Sequence, residues 1–242
     1  MLLHAYPLSA QMFAGLAAEL AQTARMLVPE LLLGAPLHAE PSMDTLADAV
    51  VATMDAHQVP AAVLAGVSMG GYVALALRRR HPQRVLGVAL LDSRPEADTA
   101  EAAAAREQVA ARVVAERSTS ALLEAVAGLL GETSRTQYPE MLDQVRAWAL
   151  AAPYQAVAWC QRAMAARVDY TDVLAALDVP ALVLVGEQDT VTPPGVALRA
   201  AAAVPAGLGS YVVVQGAGHL AALERPAEVA AALRDLLARC AG

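Results

Sequence analysis

The amino-acid sequence predicts an α/β fold in which a mostly parallel sheet of about six strands is flanked by helices. Short apolar runs bounded by Gly, Pro or Asp indicate strands, and helical patterns separate most of these runs. The runs are apolar throughout, which is typical of parallel strands covered by helices on both faces. The predicted strands cover residues 1–3, 24–28, 62–66, 85–91, 181–186 and 210–214.

Helices are predicted over residues 9–22, 43–57, 70–80 and 228–239. Ser42 precedes the second of them, and its side-chain oxygen can accept the first free amide hydrogens of a helix.

One long segment, residues 95–177, shows helical patterns and no convincing strand. An excursion of this length is too long for a loop within a compact domain. We therefore expect a single domain over residues 1–242 with a helical cap insertion at about 95–177. The alternative is an ordinary set of surface helices packed beside the sheet.

Composition limits the class of protein. Hydrophobic residues make up 57% of the chain and charged residues 17%, which is enough apolar material for a large core and excludes a disordered chain. The net charge is −7 and no basic stripe is present, so we expect no nucleic-acid partner. We also expect no membrane partner, because no apolar run is long enough to span a bilayer.

The cysteines and histidines are few and dispersed. Cys160 and Cys240 do not make a disulfide framework of the kind found in small secreted proteins, so we expect reduced thiols in a cytoplasmic protein. The five histidines are scattered along the chain, and we therefore expect no metal and no other cofactor.

A candidate nucleophile lies in the segment Gly66-Val67-Ser68-Met69-Gly70, between an apolar run and a helical pattern. This G-x-S-x-G spacing between a strand and a helix predicts a tight turn that exposes the Ser68 hydroxyl. The amide of Met69 would then stabilise a developing oxyanion. The alternative is a glycine-rich turn with an incidental serine.

A serine nucleophile needs a base and an acidic partner. His219 follows the last predicted strand on a glycine-containing loop, and Asp189 follows the strand at 181–186. Asp92, at the end of the run 85–91, and Glu187 are the other candidate acids. The favoured chain order, Ser68, Asp189 and His219, is that of α/β hydrolases.

Several segments together resemble the α/β-hydrolase superfamily, in its serine esterase and enol-lactonase-like branch. LLHAYPLS is similar to the oxyanion segment and GVSMGGYVALAL to the nucleophile elbow. LLDSRPEAD, VPALVLVGEQDTVTPP and GAGHLAALERP are similar to the segment before the cap, the acid loop and the histidine loop. The resemblance implies that the Tyr6 amide joins Met69 in the oxyanion hole and that His4 has a structural role.

Two positions depart from the family pattern. Ala5 stands where the family has glycine after the histidine, which restricts access to positive φ. Residues 29–34 read PELLLG where relatives read PDLRG, so an arginine near the pocket entrance is missing.

These features predict a cofactor-independent hydrolase that cleaves a carboxylic ester or lactone of a small molecule through an acyl-enzyme. The alternatives are elimination, acyl transfer or C–C cleavage by the same residues, or a ligand-binding protein of the same fold. Arg94, Arg162 and Arg167 are candidates for contact with a substrate carboxylate, although a surface role is the simpler interpretation. The candidate pocket linings are Tyr138, Trp148, Tyr154 and Trp159, although aromatic residues of this kind more often belong to the core.

The resemblance also concerns the N-terminus, where only Met1-Leu2-Leu3 precede His4. The two antiparallel strands that relatives place there are expected to be absent. Segment 24–28 would then lie at an exposed sheet edge with unpaired backbone groups. We expect self-association as a homodimer, or marginal stability, with an upstream start of the chain as the competing explanation.

Overall fold

The computed structural model describes residues 1–241, and its centre is a five-stranded sheet in which every neighbouring pair of strands is parallel. The order in the sheet is the order in the chain. This confirms the predicted α/β class. The strands are β1 Leu2–Leu3, β2 Ala62–Val67, β3 Val85–Leu91, β4 Ala181–Gly186 and β5 Gly209–Val214.

In the described part of the chain, four α-helices precede or follow β2 and β3. α1 is Ala14–Leu20, α2 is Met43–Ala56, α3 is Met69–Arg80 and α4 is Ala100–Glu116. Ser42 caps α2 as predicted, since its hydroxyl accepts a hydrogen bond of 3.0 Å from the Thr45 amide. Every residue of α3 from Met69 to Leu77 is buried, so this helix packs in the interior and fixes the start of the turn at Ser68.

The remaining helices follow in two sets. Five lie between α4 and β4: α5 Leu123–Ala127, α6 Glu132–Gln137, α7 Pro139–Ala151, α8 Tyr154–Ala165 and α9 Thr171–Ala175. Three lie beyond β4: α10 Pro194–Ala203, α11 Ala221–Glu224 and α12 Pro226–Ala241. α1 packs on α12 and α2 packs on α3, and both groups contact the sheet. None of the helices between residues 1 and 241 has both the length and the apolar character that crossing a membrane requires.

The segment between β3 and β4 is helical, and within it α8 packs on α4 and α7 packs on α5. The interpretation of residues 95–177 as a cap inserted into a single domain stays a prediction. It is supported by the position of α4, α5 and α8, whose side chains line the cavity described below.

Segment 24–28 differs from the prediction, because it forms no strand and lies outside the sheet. Only one hydrogen bond ties it to β1, from the Leu2 amide to the Leu27 carbonyl at 3.0 Å. β1 is two residues long, and this single hydrogen bond does not make a strand pairing with segment 24–28, so the sheet has five strands in place of six. The edge strands among the described residues are therefore β1 and β5, and a groove of about 340 Å³ lined by Met1, Leu27 and Leu86, among others, runs beside β1.

Candidate active site

Ser68 lies in the tight turn between β2 and α3, at the carboxyl edge of the sheet. Its backbone has φ 53° and ψ −114°, a strained region for a residue with a side chain. The turn is possible because its neighbours are glycines: a Cβ on Gly66 would lie 2.2 Å from the Gly70 carbonyl carbon, and a Cβ on Gly70 would lie 2.1 Å from the Leu3 carbonyl oxygen. The glycines at positions 66 and 70 therefore allow the tight turn that positions the Ser68 hydroxyl.

His219 and Asp189 lie next to Ser68 in a continuous line of hydrogen bonds. His219 Nε2 is 2.9 Å from Ser68 Oγ, and His219 Nδ1 is 2.8 Å from Asp189 Oδ2. Both His219 and Asp189 are buried. The other Asp189 oxygen accepts hydrogen bonds of 2.8 Å from the amides of Val191 and Thr192, which orients the carboxylate. Such an arrangement can deprotonate a serine and stabilise the resulting imidazolium.

The two backbone amides predicted to form the oxyanion hole belong to Tyr6 and Met69, and in the described chain both N–H groups are free to donate. Across residues 1–241, neither the Tyr6 nor the Met69 amide donates a hydrogen bond to another protein group. Met69 is the first residue of α3, where the helix dipole places positive partial charge. Tyr6 lines the same cavity as Ser68 and His219. The arrangement is suited to a developing negative charge beside Ser68.

Over residues 1–241, the two alternative acids, Asp92 and Glu187, form hydrogen bonds with backbone amides and not with His219. Asp92 is completely buried and accepts hydrogen bonds from the amides of Gly186 at 2.8 Å and Ala221 at 3.0 Å. It thus joins the end of β4 to the start of α11. Burial raises the pKa of Asp92 to about 7, while His219 and the two amides oppose that shift. Glu187 accepts from the Gly216 amide at 3.0 Å.

A further buried acid, which the sequence did not indicate, fixes the histidine loop. Glu224 accepts hydrogen bonds of 2.9 Å from the amides of Gly131 and Gly218 and one of 3.3 Å from Leu220. The His219 amide in turn donates to the Leu129 carbonyl at 2.8 Å. We call this set of bonds the Glu224 clasp. It fastens the backbone on both sides of His219 to the α5–α6 junction.

His4 lies at the base of the oxyanion segment and is fully buried. Its Nε2 accepts a hydrogen bond of 2.8 Å from the Leu31 amide, and its Nδ1 is 3.0 Å from the Ala5 carbonyl. A neutral ring satisfies both contacts, since one nitrogen must accept and the other donate. Ala5 is not among the described residues with positive φ, so the alanine fits without a left-handed backbone.

The stability of the protein should fall in mild acid because of His4. Burial lowers the pKa of His4 from 6.5 to about 4, although the bond to the Ala5 carbonyl opposes this shift. Between these values the unfolded chain binds a proton that the folded chain does not, so the free energy of unfolding should drop by about 3 kcal/mol as pH falls from 6.5 to 4. Urea denaturation across this range measures the drop.

The variant His4→Gln isolates this contribution. It should be less stable than the parent at pH 7, but the stability difference between the two proteins should shrink as the pH is lowered to 4. Parallel stability curves for the two proteins would show that His4 does not carry the effect.

A cavity of about 290 Å³ opens at Ser68 and His219. None of the four aromatic residues predicted as linings contributes to it: Trp159 donates its indole N–H to the Ala39 carbonyl, and Trp148 lines a separate small cavity. The four residues are therefore not linings of the cavity at Ser68, and Trp159 is buried in the core, as the alternative interpretation expected. The apolar lining is instead aliphatic: Val109, Leu122, Val126, Leu129, Met164 and Val191.

The three arginines named as candidates for contact with a substrate carboxylate lie in different places. Arg94 lines the cavity, whereas Arg162 lies at the surface, 3.6 Å from Glu107, and Arg167 is buried behind the cavity with its guanidinium over the Tyr72 ring. Arg106, which the sequence did not indicate, also lines the cavity. In the part of the chain that is described, no cluster of three or more His, Cys, Asp or Glu side chains is placed to hold a metal ion.

Comparison with known proteins finds similarity to one fold family and to enzymes that have its fold. A family model described as alpha/beta hydrolase fold matches residues 1–226. A thermophilic esterase from Thermogutta terrifontis, solved with malate bound, superposes with a TM-score of 0.91 and 33% sequence identity over 99% of this chain and 89% of that one. An enol-lactonase from Burkholderia xenovorans LB400 gives a TM-score of 0.86 and 25% identity over 98% of this chain and 90% of that one.

A curated relative matches a shorter part of the chain. It is a 2-hydroxymuconate semialdehyde hydrolase from Pseudomonas sp. strain CF600, 38% identical over 79 residues. The match covers 31% of this chain and 28% of that protein.

Proposed function

We propose that this chain, which belongs to the alpha/beta hydrolase family, is a serine hydrolase that acts on a carboxylic ester or lactone of a small molecule without a cofactor. The observation that carries the proposal is the line of hydrogen bonds from Ser68 through His219 to Asp189, at the mouth of a cavity. The similarity to an esterase and to an enol-lactonase supports the ester or lactone as the substrate class.

The first half-reaction forms an acyl-enzyme. Ser68 Oγ attacks the carbonyl carbon while its proton passes to His219 Nε2. The carbonyl oxygen becomes an oxyanion held by the Tyr6 and Met69 amides. When the tetrahedral intermediate collapses, the C–O bond to the alcohol breaks and the alcohol oxygen takes the proton from His219.

The second half-reaction releases the acid. Water gives a proton to His219 Nε2 and attacks the acyl carbon, and Ser68 Oγ recovers that proton as it leaves. Asp189 holds the Nδ1–H tautomer in both steps and stabilises the imidazolium that forms in each.

Hydrolysis by this route predicts a burst of product. A 4-nitrophenyl ester with a slowly hydrolysed acyl group, such as pivalate, should release about one equivalent of nitrophenol per enzyme before the steady state, because acylation outpaces deacylation. Rapid mixing measures the burst, and mass spectrometry should locate the added acyl group on the peptide that carries Ser68.

The same experiment separates the alternatives. If the folded protein binds an ester but shows neither a burst of nitrophenol nor turnover, the result would favour a ligand-binding role. Turnover of a substrate without acylation of Ser68 would favour elimination with His219 as the base. Acyl transfer or C–C cleavage would leave the acyl-enzyme intact but change the acceptor or the bond that breaks.

Two further features remain proposals. A cytoplasmic location is supported by the two free cysteines, Cys160 and Cys240. Self-association as a homodimer would use an edge formed by β1 and not by a strand at 24–28.

A further inference from the structure

We propose that the cavity at Ser68 selects substrates that carry a carboxylate in addition to the reacting ester or lactone, and that Arg94 and Arg106 bind this carboxylate. The inference rests on the proposed function, since it names the substrate class of the same site. It follows from the charges that line the cavity and from how the two arginines are held.

The cavity wall carries positive charge and no acid among the described residues. Arg94 and Arg106 both line the cavity, and the carboxylates of Asp98 and Glu96 do not. The rest of the lining is mostly aliphatic, together with Tyr6, Tyr72, Gln161, Thr192 and the reacting residues. A wall with two guanidinium groups in apolar surroundings favours an anion over a neutral ligand.

The two guanidinium groups are held in place by one carboxylate behind the wall. The Asp98 side chain is buried, and it accepts hydrogen bonds from Arg94 Nη2 at 3.0 Å and from Arg106 Nε at 2.5 Å. The fully buried Arg167 bonds to the same carboxylate at 3.1 Å. Burial opposes ionisation of Asp98, but Arg106 and Arg167 keep its pKa below the ordinary value.

One carboxylate therefore faces three guanidinium groups. Glu96 is the other acid nearby, and its charge helps to raise the pKa of Arg94, but within residues 1–241 its carboxylate makes no hydrogen bond or ion pair with any of the three. The positive charge of the cluster exceeds the negative charge that contacts it, and an anion in the cavity would redress this imbalance.

Donors on both arginines remain available. Arg94 uses one nitrogen, Nη2, in its bond to Asp98. Arg106 uses Nε for Asp98 and Nη1 for the Gln161 side-chain oxygen at 3.2 Å, which leaves Nη2 without a partner in the described chain. Each guanidinium has five N–H donors, so both can still bind a carboxylate.

Tyr6 adds a neutral donor beside the arginines. Its hydroxyl is buried and makes no hydrogen bond of ordinary geometry within residues 1–241, although Gln161 lies close to it. Burial raises its pKa, so the phenol stays protonated. The cavity volume of about 290 Å³ limits the ligand to a small molecule, which fits a short carboxylate-bearing ester or lactone better than a larger anion.

Matched substrate pairs test the inference. The first pair is the mono-4-nitrophenyl ester of adipate and 4-nitrophenyl hexanoate, which differ by a carboxylate in place of a terminal methyl group. The second pair, 6-acetoxyhexanoate and hexyl acetate, places the carboxylate on the alcohol side. In at least one pair, kcat/KM should be about tenfold or more higher for the anionic member, after correction for hydrolysis without enzyme.

The variants test which residues cause the preference. Arg106→Gln should lower the ratio of anionic to neutral kcat/KM by about tenfold or more, Arg94→Gln should lower it as well, and Arg106→Lys should restore part of it. Arg112→Gln, on the same helix but paired with Glu116 at the surface, should leave both rates unchanged. Equal rates within both pairs, or an unchanged ratio in both glutamine variants, would overturn the inference.

A direct binding measurement separates this inference from the proposed function. Titration calorimetry of the Ser68→Ala protein should detect adipate binding that Arg106→Gln abolishes. If adipate binds but no ester is hydrolysed by the parent protein, the proposed function fails and the anion site stands. If neutral esters are hydrolysed and adipate does not bind, the anion site fails and the proposed function stands.

Discussion

Replacing Ser68 with alanine should lower kcat for any ester substrate by about 10⁴-fold or more and should abolish labelling by a fluorophosphonate. The hydroxyl is the only protein group in the proposed mechanism that bonds to the acyl carbon, and removal of such a nucleophile leaves only the binding and oxyanion contributions. The strained backbone at Ser68 is set by Gly66 and Gly70, so alanine should be accommodated there. Steady-state kinetics and intact-protein mass measure the two effects.

Ser93 offers a matched control. It is a buried serine whose hydroxyl donates a hydrogen bond of 2.8 Å to the Ser68 carbonyl, so it lies beside the same turn. Ser93→Ala should cost about 1 kcal/mol of stability and retain labelling at Ser68. Labelling that persists in Ser68→Ala, or appears on another residue, would contradict the assignment of the nucleophile.

Asp189→Asn should lower kcat by about 10⁴-fold with little change in the free energy of unfolding. An asparagine keeps the acceptor for the Val191 and Thr192 amides through its oxygen but presents an NH₂ group to His219. The imidazole would then be held in the wrong tautomer and would lack a negative charge beside its protonated form. Kinetics and urea denaturation of the same preparation separate the two quantities.

Asp92→Asn is the corresponding control and should give the opposite pattern. Its carboxylate holds two backbone amides and not the imidazole, so the amide group would leave one of those donors unpaired. We expect a stability loss of about 1–3 kcal/mol and a much smaller loss of kcat. If Asp92→Asn loses kcat by orders of magnitude and Asp189→Asn does not, the acidic partner follows β3 and the assignment must be exchanged.

The sheet and the central line of the site could be predicted because both depend on local sequence. Parallel strands end at one edge of the sheet, so residues that directly follow apolar runs, such as Ser68 and Asp189, are brought to the same edge. The order of these residues along the chain then agrees with their hydrogen bonds in space. Segment 24–28 was not predictable in this way, since an apolar run favours burial but does not show that a segment has a partner strand, and these residues are at most partly buried.

Other groups around that line could not be predicted, because they depend on how helices pack across long stretches of chain. Arg106 lies on α4 and meets Gln161 of α8, 55 positions further along the chain. Glu224 looked like an ordinary charged residue before a proline, and its role depends on Gly131, 93 positions away. Trp148 and Trp159 illustrate the converse, since their size suggested a pocket but their helix faces place them elsewhere.

The Glu224 clasp has a mechanical consequence. A Cβ on Gly218 would lie 2.2 Å from the Gly131 nitrogen, so the two backbones touch where the clasp binds them. The α5–α6 junction therefore cannot swing outward without carrying His219 away from Ser68. We therefore expect a molecule that enters the cavity to pass along another wall, and loosening of this junction to displace the His219 backbone without breaking hydrogen bonds of the sheet.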